Sequence, residues 1–496
     1  MFRRNVNSVP SITKSKSTRE PYFTSPSLHT PPLLPPELVE AIIDEVGLLH
    51  DIPTLNACSL VATPFVFRAQ SHIFRTIDLD RKVPRRKHHD RFHRLLLAKP
   101  HLGLHVRRIR VGDDAEDEFG SRGGGGGRRR GGGFGGGGGG GGWANNAWNG
   151  GDSGGWILSS KTLPLTLQLL PRLEGFSLSF NSEMTDWRDI PPETRAAIGR
   201  LFRLPSLKAV SLEFISAFPA QHLLSLVGLK YVGLSCVEVD PTAALLPGAI
   251  EGRRDSRLRS LFLRGTSPST IQAVSRALAL SSQSTLKKLS ITPTFENGFC
   301  DTISELINAT GSNITEFEWL PSIHFCTSVG AININALPHL RVLRFLVSFR
   351  KTHAHGPFPE VLRLLGQVSS SSNSSSIHMP NRIETIVFDC HCIRGPSQSQ
   401  SGVHGFPSSS SSASADLKAL QAEWRPIDKI LSRPSFASLK HVKIRLSTST
   451  SVPASRERFI RAFQHLLPAL QSKGTVISVQ TKEDGDERFV LEDFGS

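Results

Sequence analysis

Ser153 lies in Gly151-Asp152-Ser153-Gly154-Gly155, a match to the G-x-S-x-G elbow that presents a nucleophilic serine. Such a serine needs a strained strand to hold it and an oriented base to take its proton. Here the five residues close a polyglycine tract, and no Ala-Ala-His-Cys-like segment supplies the base. The same tract matches G-x-G-x-x-G many times over, without a strand before it or a helix after it, and no G-K-[ST] phosphate loop occurs. Cys390-His391-Cys392, with His378 nearby, has the ligand types of a zinc site. It directly follows Ile386-Val387-Phe388, where strand side chains alternate in direction, so convergence on one ion would need a turn. An ordinary strand edge is expected there. The chain is therefore expected to be no enzyme, with no catalytic set, no metal and no cofactor.

Binding chemistry is better represented. The 496 residues carry a formal charge of +15. Arg81, Lys82, Arg85, Arg86, Lys87, Arg91, Arg94, Lys99, Arg107, Arg108 and Arg110 face only Asp90 in their stretch. Such a cluster attracts nucleic acid or an acidic partner, or simply solvates one face. Arg128-Arg129-Arg130 amid glycine, with Phe134, Trp143 and Trp148, has the cation-plus-aromatic makeup that stacks on single strands. A single arginine triplet keeps nucleic acid as an alternative rather than the first reading. Six scattered cysteines show no framework spacing, so reduced thiols and a cytoplasmic or nuclear setting are expected. No apolar run approaches the ~20 residues of a membrane helix. Met1 to Arg19 is basic and free of acids, but Pro10 interrupts it, and residues 1–32 are expected to form a disordered leader.

Order begins at Leu34-Pro35-Pro36-Glu37-Leu38. Pro36 suits the first helical position and Glu37 suits the helix dipole. Leu38, Ile42, Ile43 and Val46 follow as one apolar stripe at helical spacing. Asp51-Ile52-Pro53-Thr54 marks a break, with Thr54 the expected N-cap of a second helix carrying Leu55, Cys58, Leu60, Val61 and Ala62. Pro64 opens a third helix with Phe65, Ala69, Ile73 and Phe74, and Thr76 to Leu79 alternates as a strand.

From Val106 onward a motif of form apolar-x-x-apolar-x-apolar recurs. It reads Val106/Ile109/Val111, Leu173/Phe176/Leu178, Leu207/Val210/Leu212, Leu229/Val232/Leu234 and Leu258/Leu261/Leu263. It continues as Leu286/Leu289/Ile291, Ile314/Phe317/Trp319, Leu340/Leu343/Phe345, Ile383/Ile386/Phe388 and Leu439/Val442/Ile444. From Leu207 to Leu340 the starts are 22, 29, 28, 28 and 26 residues apart. The last two apolar positions alternate, as a strand with one buried face requires. Helical patterns fall between them at Ile271/Val274/Leu278, Ile303/Leu306/Ile307, Val361/Leu364/Leu365 and Phe459/Phe463/Leu466/Leu467. Strand and helix repeating at this spacing predict a curved array in which each unit buries its apolar face against its neighbours.

Residues 33–79 resemble the F-box motif. Leu34-Pro35-Pro36-Glu37-Leu38 with Ile42-Ile43-Asp44-Glu45 matches its opening, and Leu55-x-x-Cys58-Ser59-Leu60-Val61 matches its second helix. Arg68 to Ile77 matches its third helix and exit strand. Where the family usually continues with a Cys-Arg-x-Trp-like stretch, this chain has Ala62-Thr63-Pro64-Phe65. The remainder resembles the degenerate leucine-rich repeats often joined to F-boxes. The turn position three residues after the last apolar strand position is the consensus Asn only at Asn181, and several of the others hold a hydroxyl, at Thr266, Thr294, Ser322, Ser348 and Ser447. The resemblance implies a short three-helix F-box followed by an irregular α/β solenoid of parallel strands and outer helices. It also implies a substrate receptor joined to a cullin scaffold through a Skp-type adaptor. Adaptor contacts would come from Leu34, Pro35, Pro36, Leu38, Ile42, Ile43, Leu55, Cys58, Leu60, Val61, Phe65 and Phe74. A protein substrate would meet the strand residues that point away from the core, namely Phe262, Arg264, Lys288, Glu316, Glu318, Arg344, Leu346, Asp389, Lys443 and Arg445.

The expected organisation is then a leader to 32, an F-box-like segment 33–79, and a basic connector with the first repeat at 80–119. A disordered Gly/Arg insertion at 120–155 follows. The solenoid spans 156–482, with Ser-rich loops at 367–376 and 397–414, and a tail covers 483–496. Two other readings stay open: binding of RNA or DNA through 81–110 and the Gly/Arg tract, and a repeat scaffold without ligase attachment.

Overall fold

The computed structural model describes residues 34–61, 63–79, 85–113, 155–180, 184–240, 257–280, 285–294, 296, 298–320, 332–349, 358–370, 382–392, 422–448 and 466–482. The expectations for the leader, the Gly/Arg tract before Gly155, the loop at 397–414 and the tail lie outside these residues. Two compact units part between Ala69 and Gln70. The division falls inside the third helix, so the end of the F-box-like segment goes with the second unit rather than the first.

In the first unit, α1 (Pro36–Leu48) starts with Pro36, whose fixed φ and missing N–H cost nothing there. The turn that follows puts His50 in the left-handed region, at φ 56°. Helix α2 (Ile52–Val61) is capped by Asp51, whose carboxylate accepts the Thr54 N–H at 3.1 Å and the Thr54 hydroxyl at 2.5 Å. The expected cap, Thr54, is thus the third helical residue and a donor. The cap moves to Asp51 because Pro53, lacking an N–H, fits the first turn without loss. Helix α3 (Thr63–Ile73) is held to α1 by the two-pronged bond of Arg68 with Asp44, whose Nε–Oδ1 arm is 2.5 Å. That bond holds the Arg68 guanidinium above its ordinary pKa. Among the described residues, Val39, Ile43, Leu55 and Ala69 are the buried apolar residues of this unit.

The second unit is α/β, with one open parallel sheet. Its elements are β1 (Thr76–Asp78), α4 (Arg85–Ala98), β2 (Arg108–Gly112), α5 (Trp156–Ser159), α6 (Leu163–Gln168), β3 (Gly175–Ser179), β4 (Thr185–Asp186) and α7 (Pro192–Leu201). Next come β5 (Ala209–Phe218), α8 (Ala220–Leu226), β6 (Tyr231–Val239), β7 (Ser260–Arg264), α9 (Pro268–Ala279), β8 (Lys288–Thr292), α10 (Phe299–Thr310) and β9 (Glu316–Trp319). The last are β10 (Val342–Phe349), α11 (Pro359–Ser370), β11 (Thr385–Cys392), α12 (422–431), β12 (His441–Thr448), α13 (Pro468–Ser472) and β13 (Val476–Lys482). The 13 strands lie side by side in chain order, except that the short β4 pairs only with β5. Helix α11 runs on to Ser370, so the Ser-rich loop expected from 367 is helical in its first residues. Its apolar face at Val361, Leu364 and Leu365 carries the helix past the compositional boundary. Among the described residues no helix is long and apolar enough to cross a membrane.

All ten apolar triplets are buried in one continuous core, with the inward residues of α4 and α6 to α12 packed on the same face of the sheet. Parallel strands need a crossover, and the helices described between these strands pack on that face. Three strands fall outside the ten triplets: the two-residue β4, β1 and β13. For β1, Phe74, Ile77 and Leu79 make an eleventh apolar triplet packed with the same core. For β13, the first apolar place is taken by Gly474 at φ 81°, which removes the pattern's first residue. At strand entry a single carbonyl accepts two N–H groups from the next unit. Lys208 O takes Lys230 and Tyr231, Lys230 O takes Arg259 and Ser260, and Arg259 O takes Lys287 and Lys288. The turn hydroxyl of Thr266 donates to Leu234 O at 3.0 Å and so satisfies a carbonyl of the preceding strand.

Candidate partner-binding surfaces

On the helical unit, the apolar stripe expected on α1 divides. Ile43 turns inward with Val39, whereas Leu34, Leu38 and Ile42, each four residues on from the last, are exposed. On α2, Leu55 is buried and Cys58 half-buried, while Leu60 and Val61 are 85% and 72% exposed. Ile43 and Leu55 are therefore interior residues and offer a partner nothing. Pro35 is exposed, Phe65 is half-buried, and Phe74 packs against the sheet core. Pro36 is the first residue of α1, where it fixes the helix start. Leu48, Leu49, Ile52 and Phe67 are further exposed apolar residues that the sequence did not single out. A contiguous helical unit with this many large apolar side chains in water has the makings of a protein interface.

The sheet face opposite the helices is the second surface. Parallel sheets are usually covered on both faces, yet here the alternate positions are polar enough to meet water. Strand register puts all ten expected substrate residues on it. Lys288 lies beside Glu316; Phe262, Glu318, Arg344 and Lys443 share the next row; Arg264, Leu346, Asp389 and Arg445 share the one after. They are not equally free. Glu318 and Asp389 are buried among cations in a line across five strands. Lys288 Nζ is 2.8 Å and Arg344 Nη1 3.0 Å from Glu318 Oε1; Arg344 Nε also donates to Asp389 Oδ2, and Arg445 Nη1 lies 4.0 Å from Asp389 Oδ1. Burial pushes the Glu318 carboxyl up, but Lys288, Arg344 and the Ser290 hydroxyl outweigh it and hold its pKa below the usual range. Burial likewise opposes the Arg344 charge, and Glu318 and Asp389 overcome it and raise the guanidinium. Lys288 also sits 5.3 Å over the Phe262 ring. The charges meant to meet a partner thus satisfy one another first. Arg264 is exposed, and Glu316, Leu346 and Lys443 are half-buried.

Ser153, His378 and Arg128 to Arg130 lie outside the described residues. Cys390 is buried with its thiol 3.9 Å from Phe388 O. Among the described residues no three His, Cys, Asp or Glu side chains gather to hold a metal ion. In the basic stretch, Arg107 lies 3.6 Å from Glu174 and Arg110 3.8 Å from Asp78. Helix α4 turns His89, Phe92, His93 and Leu96 inward. No protein-family model matches the chain, and no curated protein compared with it matches.

Proposed function

We propose that the chain is a substrate receptor of a cullin-type ubiquitin ligase: an F-box-like helical unit that docks a Skp-type adaptor, followed by an irregular leucine-rich-repeat solenoid that holds a protein substrate. The observation that carries the reading is the exposed row of Leu34, just before α1, with Leu38 and Ile42 on it, joined by Leu60 and Val61 on α2, in a unit whose described interior is Val39, Ile43, Leu55 and Ala69. Side chains left in water at those positions gain ~25 cal/mol per Å² when an adaptor covers them. Pro64, where the chain departs from the F-box pattern, falls in the first turn of α3 and removes no helical hydrogen bond. The repeat reading draws on the burial of all ten apolar triplets and on the strand order, which follows the chain.

The solenoid's open face is the natural place for the substrate, and Arg264, Glu316, Lys443 and Leu346 are its more available groups. Ubiquitin transfer would belong to other subunits. The nucleic-acid reading draws less support, since Arg107 and Arg110 already have acidic partners. Co-purification of the full-length chain with a Skp-type adaptor and a cullin tests the assignment. Both should be retained by the wild-type chain and neither by Leu60→Asp; their absence from the wild-type preparation would remove the ligase reading and leave a repeat scaffold.

A further inference from the structure

At the far end of β5 a cleft of about 920 Å³ opens between α7, α8 and the turn carrying Trp187. Its floor is Trp187, Ala217 and His222. Trp187 packs edge-on against Phe218 and His222, with ring centres 5.1 and 5.8 Å apart, so the floor is rigid. Two rows of α7 form one wall, Pro192, Ala196 and Arg200, then Arg195 and Gly199, with Arg203 continuing the second row just past the helix end. Gly199 leaves a notch between Arg195 and Arg203; a Cβ there would meet only His222 Cε1, at 3.5 Å.

The charge of the cleft is unbalanced. Arg188 is bound to Asp240 at 2.5 Å, and Arg203 Nε donates to Gly199 O at 3.3 Å. Among the described residues Arg195 and Arg200 have no ion-pair partner, and Glu193 is the cleft's one other acid. Burial, with Arg203 nearby, lowers the His222 pKa, so the ring stays a neutral hydrogen-bonding group.

We propose that this cleft binds an acidic peptide segment: one apolar side chain in the Gly199 notch, flanked by carboxylates or phosphates held by Arg195, Arg200 and Arg203. Guanidinium groups suit both anions, because their fork pairs two oxygens at once. The cleft is open to solvent along its length, as the binding site of an extended peptide segment would be. A continuous polyanion such as nucleic acid fits worse, since Glu193 and Asp240 stand in its path. The site is built wholly from residues of the second unit and stands whether or not an adaptor binds.

An array of synthetic seven-residue peptides tests it, with Leu or Phe at the centre and Glu, phosphoserine, Gln or Lys at the flanks, probed with the full-length protein. Glu or phosphoserine peptides should retain it, Gln peptides about tenfold less, and Lys peptides not at all. Arg195→Gln and Arg203→Gln should each lower retention about tenfold, whereas Arg276→Gln on the outer face of α9 should not. Gly199→Leu should abolish retention by filling the notch; the arginine variants carry the test if that variant fails to fold. Preference for phosphoserine over Glu, or the reverse, names the source of the anion. Equal retention of Gln and Glu peptides overturns the proposal. So does no retention, an equal loss with Arg276→Gln, or displacement by a single-stranded RNA oligonucleotide at equal concentration.

Discussion

Arg344 stands between two buried carboxylates, Glu318 and Asp389, and it is the shared partner of both. Removing one member of a buried pair leaves an uncompensated charge, which costs about 3–5 kcal/mol. Arg344→Ala should therefore lower the urea midpoint strongly, while Lys443→Ala, from the same row, should cost under ~0.5 kcal/mol. A second residue ties stability to pH. His89 is fully buried on α4, where its Nε2 lies 3.1 Å from the Thr166 hydroxyl, itself 3.0 Å from His93 Nδ1. Burial lowers the His89 pKa from 6.5 to about 4, against the pull of Asp90 and with a small push from His93. The unfolded chain binds a proton below pH 6.5 that the folded chain refuses until about pH 4. Stability should thus fall as pH drops across that window, by up to about 3 kcal/mol, and be unaffected by this group above it. Chemical unfolding at successive pH values reads the slope; His89→Gln should flatten it, and an unchanged slope would contradict the assignment. None of this was legible in the sequence. Arg344 and Asp389 are 45 residues apart, His89 and Thr166 77, and no local pattern joins them.

At the scale of elements, the repeat motif was readable because two of its three apolar positions obey strand alternation and the third fills the turn. It failed at β13, where Gly474 replaces the first apolar residue, and on α1, where a helical stripe concealed the split between Ile43 inside and Leu38 outside. One backbone device left no sequence trace. Phe214, Cys236 and Gly265, each following a register-matched residue on β5, β6 and β7, all adopt positive φ, at 59°, 49° and 56°. A Cβ on Gly265 would stand 3.0 Å from Cys236 Sγ. Gly265→Ala should cost about 1–3 kcal/mol from backbone strain, read as a lower thermal midpoint, whereas Phe214→Gly would lose side-chain burial but gain in backbone freedom.

At the scale of the whole molecule, the long insertion is fastened where it leaves and returns. Asp113 accepts the Trp156 N–H at 3.1 Å, and Trp156 Nε1 donates to Gly112 O at 2.9 Å. A side chain on Gly155 would collide with the Asp113 carboxylate, so the expected boundary after 155 moves to before it. Deleting 114–154 should leave the thermal midpoint nearly unchanged, since loop length costs only ~0.6 kcal/mol per doubling; Trp156→Ala should lower it. A large loss on deletion would mean the tract is part of the fold. Calorimetric titration of the full-length chain with a Skp-type adaptor tests whether the helical unit is a docking surface. Saturable binding is expected, lost in Leu60→Asp while the thermal midpoint holds, because Leu60 makes little contact with its own fold. No heat of binding to the wild-type chain, or equal binding by Leu60→Asp and Leu38→Asp, would contradict it.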